Sequence, residues 1–152
     1  MAGLSIFTIG YQGAPLAVFI ETLVEHGVSQ VLDVREVAFS KNWCYSKSPL
    51  DRALAERGIR YLHLPSLGTP KELRRRLEMS GAREAFLEGM REVLRARPQA
   101  LGEAAALIQT TPSVLLCLER EAADCHRSVV AELLRARLEP PAEIVHLSVR
   151  ET

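Results

Sequence analysis

Ser113–Arg135, SVLLCLEREAADCHRSVVAELLR, decides how the rest of the chain is read. Val114, Leu115, Leu116 and Cys117 form a short apolar run suited to a buried strand. Val129, Val130, Leu133 and Leu134 recur at the spacing of one helix face. The polar segment Glu119–Asp124 between them reads as a loop. Cys125-His126-Arg127 falls where the helix begins. Unpaired N–H groups and the positive end of the helix dipole make that place a natural anion site. A thiol, an imidazole and a guanidinium stand beside it.

The same alternation extends outward from this stretch. Towards the N-terminus, Leu4–Ile9 reads as a strand and Gly10-Tyr11-Gln12-Gly13 as a turn, with glycines supplying positive φ. A helix follows, carrying Leu16, Phe19, Ile20, Leu23 and Val24 and stopped by Gly27. Gln30–Arg35 is a second strand, leaving Asp33 and Arg35 at its carboxyl end. Glu36–Ser48 has no period and reads as a long functional loop. Pro49–Arg57 is a helix and Ile59–Leu64 a third strand with Tyr61 and His63. Helices are expected over Lys71–Glu78, Ala82–Arg97 and Ala100–Gln109, the basic residues of the first two forming a solvated face. Beyond the opening stretch, its helix runs to about Leu138, and Glu143–Val149 alternates as an edge strand.

Strands alternating with helices predict a single α/β domain over 1–152: a five-stranded, mainly parallel sheet with helices on both faces. Such sheets bind ligands beyond the carboxyl ends of their strands. Tyr11, Asp33, Arg35, His63, Glu119 and the Cys125-His126-Arg127 tripeptide all gather there.

Composition narrows the classes. The chain is 47% hydrophobic and 25% charged with formal net charge +0. No global field therefore draws it to nucleic acid or membrane, and self-association into a homodimer is mildly favoured. No apolar run reaches the roughly 18 residues of a membrane span, and no secretory leader is evident. Three cysteines do not suggest a disulfide framework. The expectation is a cytoplasmic protein.

Thr8-Ile9-Gly10-Tyr11, Asp33-Val34-Arg35 with Ser40, Tyr45-Ser46-Lys47, Gly58-Ile59 with Tyr61, His63-Leu64-Pro65 with Leu67-Gly68, Leu116-Cys117, Glu119 and Cys125-His126-Arg127 occur in that order. In this succession the chain resembles domain-of-unknown-function family 488, from Thr8 to Leu147. The family pattern has proline, glycine and alanine where Ala38, Cys44 and Leu118 stand, which weighs against Cys44 as part of a shared mechanism. The resemblance implies a small cytoplasmic α/β fold and brings no established reaction. Val114–Leu134 and Leu32-Asp33-Val34-Arg35-Glu36 are also faintly similar to rhodanese-like sulfurtransferases and low-molecular-weight phosphatases. Against that stand the eight residues from Cys117 to Cys125 and the acidic loop residues Glu119, Glu121 and Asp124.

Several roles have two readings. Cys125 is a low-pKa nucleophile at a helix start or a small packed residue. Cys117 reads as a core thiol. Asp124 is a candidate N-cap that would itself occupy the anion site. Arg35 and Arg127 clamp an anion, or pair with Asp33 and Glu119. His126 is a general base oriented by Glu119, or structural; His63 has the same two readings. Tyr45, Ser46 and Lys47, with Trp43 and Lys41, read as a lid over the pocket, or as a single-stranded nucleic-acid surface. Cys117, Cys125, His126 and Cys44 lack a C-x-x-C pair, and adjacent Cys125 and His126 point to different sides of a helix, so neither metal nor cofactor is expected.

The leading functional expectation is an enzyme acting on an anionic substrate: a nucleotide, a phosphate or a sulfur-bearing group. Cys125, His126 and Glu119 would be catalytic. Tyr11, Asp33, Arg35, Tyr45, Ser46, Lys47, His63 and Arg127 would line the substrate. The rival class is a non-catalytic nucleic-acid or nucleotide-binding module.

Overall fold

The computed structural model describes residues 4–121, 125–139 and 142–149. Strand β1 (Ser5–Gly10) leads to helix α1 (Leu16–Glu25), β2 (Gln30–Asp33), α2 (Lys47–Ala55) and β3 (Arg60–His63). Helices α3 (Lys71–Ser80), α4 (Arg83–Arg95) and α5 (Pro98–Thr110) precede β4 (Ser113–Cys117), and α6 (Arg127–Arg135) and β5 (Glu143–Leu147) close the chain. Short 3₁₀ turns lie at Trp43–Tyr45 and Pro65–Leu67. No helix among the described residues is long and apolar enough to cross a membrane.

All five strands are parallel, in the order β3-β2-β4-β1-β5. Strand β4 is therefore central, between β1 and β2, and all five of its residues are buried. Burying a Val or Leu side chain stabilises by roughly 1.5–3 kcal/mol, so this apolar run fits no exposed position. Strand β5 is an edge, as its alternation predicts: Leu147 and Val149 are buried, His146 and Ser148 exposed.

Helices cover both faces of the sheet. On one face, Leu115 and Cys117 of β4 join α4, α5 and α6 through Met90, Leu94, Leu101, Val129, Val130 and Leu134. On the other, Val114 and Leu116 join α1 and α2 through Phe19, Leu23, Leu50 and Leu54. The two-residue period of a strand makes this division. It also puts the Cys117 side chain on the same face as α6.

Boundaries differ from the expected ones for local reasons. Helix α2 starts at Lys47 rather than Pro49, because a proline within the first turn gives up no intrahelical hydrogen bond. Pro98 opens α5 by the same logic. Strand β2 stops at Asp33, since the Arg35 amide donates to Asp33 Oδ1 instead of to a neighbouring strand.

Candidate functional site

Three strand ends and the start of α6 enclose a cavity of about 180 Å³. Tyr11 comes from the end of β1, Arg35, Val37 and Phe39 from the segment after β2, and Cys117, Leu118 and Glu119 from β4 and its loop. His126 comes from the N-terminus of α6, while Thr69, Arg74 and Leu77 close the side. This is the position at the carboxyl edge of the sheet where ligands of open parallel sheets bind.

Two glycines let the walls approach. A Cβ on Gly10 would stand 1.7 Å from the Glu119 carbonyl oxygen. One on Gly68 would stand 2.2 Å from the Glu36 amide nitrogen. Gly10 is thus needed for backbone contact and not for the positive φ expected of it; in that turn only Gly13 has φ above zero, at 77°.

Arg35 is held by its own strand end. Its Nε donates to Asp33 Oδ1 at 2.8 Å and its Nη2 to Asp33 Oδ2 at 2.6 Å, a buried bidentate pair. Nη1 donates to the Tyr11 hydroxyl at 3.3 Å, and the guanidinium carbon lies 5.3 Å from the Tyr11 ring centroid. Burial disfavours the charge, but Asp33 and Tyr11 outweigh it and raise the Arg35 pKa. The Tyr61 hydroxyl donates to Asp33 Oδ2, and burial together with that carboxylate raises the tyrosine's pKa. His63 Nε2–H donates to the Arg35 carbonyl at 2.7 Å. His63 thereby braces the backbone of Arg35 and does not line the cavity.

Arg127 differs from its expected role as an open anion clamp. It is 1% exposed, and its donors are turned inward. Nε donates to Thr8 Oγ1 at 3.2 Å, Nη2 to the Arg120 carbonyl at 3.1 Å, and Nη1 to the Glu119 carbonyl and to Cys117 Sγ, the latter at 3.1 Å. Glu119 therefore meets Arg127 through its backbone, not through its carboxylate. Among the described residues no carboxylate forms an ion pair with Arg127. Burial draws its pKa down to about 10, against the distant charges of Glu119 and Glu121, so the group stays cationic at neutral pH.

Cys117 and Cys125, not expected to pair, bring their sulfurs into direct contact. Cys117 is packed in the core, as expected, and is also one of the residues lining the cavity; Cys125 is not, and both are 1% exposed. The Cys125 sulfur accepts the Arg127 backbone N–H at 3.4 Å and lies 3.7 Å from His126 Nδ1. The two neighbouring side chains meet rather than diverge because both residues precede the first turn of α6. His126 Nε2–H donates to the Val34 carbonyl at 2.8 Å, which leaves the Nδ1 lone pair facing the sulfur. Burial, with Arg127 adding to it, lowers the His126 pKa to about 4, against the opposing Val34 bond. The imidazole is neutral at physiological pH.

The ligand atoms of Cys117, Cys125 and His126 all lie within 4.8 Å of one another. That trio has the donor set of a Cys₂His metal site, which would require both thiols reduced. Cys44 is elsewhere, a free thiol near the surface. Asp124, the candidate cap, lies outside the described residues.

The expected lid is corrected as well. Tyr45 is fully buried: it stacks on Tyr11 with centroids 4.4 Å apart, meets Phe19 edge-on, and donates to the Ala14 carbonyl at 2.7 Å. Burial raises its pKa. Ser46 Oγ accepts the Ser40 amide, and Lys47 opens α2 as an exposed residue. An aromatic ring at this sequence position is bound into the core beneath α1, so the segment is a brace for Tyr11 and not a hinged cover.

A family model described as Domain of unknown function DUF488 matches residues 15–134. The chain belongs to DUF488. No curated protein matches it, and no solved structure matches it. The faint likeness to rhodanese-like proteins accordingly has no support from these comparisons. In this DUF488 chain the matched region contains Arg35, Arg74, Cys117, Cys125, His126 and Arg127 together. Cys117 is a cavity-lining residue that the sequence reading left as a core thiol. Its signal was the parity of β4, which puts it at the last strand position on the α6 face.

Proposed function

We propose that this DUF488 protein is an enzyme acting on a small anionic substrate in the cavity at the carboxyl ends of β1, β2 and β4. The observation that carries this reading is the chemistry of the cavity floor. Cys117 lines the cavity, and its sulfur accepts from a buried guanidinium behind that wall, Arg127, which does not itself line the cavity and forms no ion pair among the described residues. A buried cation with no carboxylate in contact favours further negative charge nearby, beyond that of Glu119 and Glu121. Arg35 and Arg74 add donors at the wall and rim, though Asp33 and Glu36 already share them. Exposed Val37 and Phe39 give the mouth an apolar edge.

The test is thermal denaturation with inorganic phosphate, sulfate, thiosulfate and nucleoside monophosphates. A ligand at a hundred times its Kd adds about 2.7 kcal/mol of stability. At least one anion is expected to raise Tm, and Arg74→Ala, a change at a half-exposed rim residue, to reduce the gain. No response to any of the four classes would sink the reading.

One observation favours the rival, nucleic-acid class: Phe39 and Trp43 are 69% and 72% exposed, with exposed Lys41 between them. Bases stack on such rings. Single-stranded oligonucleotide binding that falls steeply with salt and is lost in Trp43→Ala would establish that class instead.

A further inference from the structure

We infer that Cys117 and Cys125 are a dithiol/disulfide couple that exchanges with a small disulfide bearing a carboxylate, bound in the cavity. The inference rests on the anionic-cavity reading for its substrate charge, and on the two sulfurs for its chemistry.

The two cysteines are not equivalent. Cys117 lines the cavity and Cys125 does not. The Cys117 sulfur accepts from the Arg127 guanidinium at 3.1 Å, which stabilises a thiolate there. The Cys125 sulfur has the Arg127 backbone N–H, at the start of nine-residue α6, and the His126 Nδ1 lone pair 3.7 Å away. One cysteine therefore belongs to the cavity wall, and the sulfur of the other sits beside the backbone donor at the start of α6.

In the reduced protein, the Cys117 thiolate attacks one sulfur of the substrate R–S–S–R. The substrate S–S bond breaks, a Cys117–S–S–R mixed disulfide forms, and RS⁻ leaves to take a proton from water. The Cys125 thiol gives its proton to water and attacks the Cys117 sulfur. The Cys117–Cys125 bond forms, the second RS⁻ leaves, and the proton follows it. Two thiols have been oxidised and one disulfide reduced to two RSH. The contact between the two sulfurs in the structure is the one this last step needs. Two thiols RSH run it backwards: the first attacks Cys117 from the cavity, with Cys125 as the leaving sulfur. Lower thiol pKa makes a better leaving group, and the start of a helix supplies that condition.

The test uses the full chain with Cys44→Ser, which removes the free thiol. Reduced protein is mixed with dithiodiglycolate, a dianionic disulfide, or cystamine, its dicationic counterpart. Thiol loss and intact mass are followed. The expected result is oxidation to an intramolecular disulfide with no adduct retained, about tenfold faster for the anionic reagent. Adding Cys125→Ser should trap the reagent on Cys117. Adding Cys117→Ser should leave Cys125 nearly unreactive. Alkylation mapping of the Cys44→Ser protein gives the same order of reactivity if a double variant does not fold.

Adduct forming first on Cys125, or no intramolecular disulfide at all, overturns the couple. So does reduced protein that carries stoichiometric zinc on unreactive thiols. Equal rates with both reagents keep the couple and overturn the anionic cavity. Anion-dependent Tm shifts with inert thiols do the reverse.

Discussion

Asp33 holds the site together with one carboxylate: it takes two hydrogen bonds from the Arg35 side chain, one from the Arg35 amide and one from Tyr61. Removing its charge strands Arg35 as a buried cation. Asp33→Asn should cost about 3–5 kcal/mol, against about 1–2 for Tyr61→Phe, which removes only one donor. Urea unfolding at pH 7 measures both, and equal small losses would show the pair to be dispensable. His126 makes a second prediction, with its sign set by burial. Its folded pKa of about 4 lies below the ordinary 6.5. Between those values the unfolded chain binds a proton that the folded protein refuses. The stabilisation is complete above pH 6.5 and is lost as pH falls towards 4, by up to about 3 kcal/mol. Unfolding curves from pH 7 to 4.5 should show this slope, and His126→Gln should flatten it. At this scale the sequence named Asp33, Arg35, His126 and Arg127 as important. It did not reveal that Arg127 turns inward, because its carbonyl partners at Glu119 and Arg120 are set by the path of the backbone.

Among the elements, the junction of β1 with the loop after β4 is the tightest point. Gly10→Ala would drive a methyl into the Glu119 carbonyl, whose position Arg127 fixes. A loss of about 1–3 kcal/mol is expected, with Cys117 reactivity altered as the loop shifts. Gly27→Ala is the control: φ is +71° but nothing lies within reach of the new Cβ. It should cost about 1–2 kcal/mol of backbone strain and leave the thiols as they were. A disulfide between Cys117 and Cys125 would join β4 to the start of α6 across a sequence separation of 8. In the chain-entropy account, closing such a loop stabilises by about 2.5 kcal/mol. Reduction of the Cys44→Ser protein should then lower Tm by roughly 5–10 °C. An unchanged melting curve would remove the disulfide from the stability of the fold.

Over the whole molecule, the central strands carry the structure. Strand β4 has a partner on each side and helices above and below, whereas β3 and β5 are edges. Amide hydrogen exchange should be slowest in β4 and its neighbours β1 and β2, and faster in β3 and β5; uniform exchange across the sheet would contradict that hierarchy. The sequence by itself determined the elements and the parallel α/β class, because apolar periods of two and of three to four report local geometry directly. It also placed the polar residues at one end of the sheet, since that needs only strand direction. Tertiary structure alone decided the order β3-β2-β4-β1-β5, the burial of Tyr45 under α1, and the meeting of Cys117 with Cys125. Strand order depends on how helix faces share the two sides of the sheet. A ring at a loop position finds its partner only once α1 and β1 are packed. Two sulfurs separated by eight residues meet only when the strand parity of β4 and the docking of α6 put them on the same face.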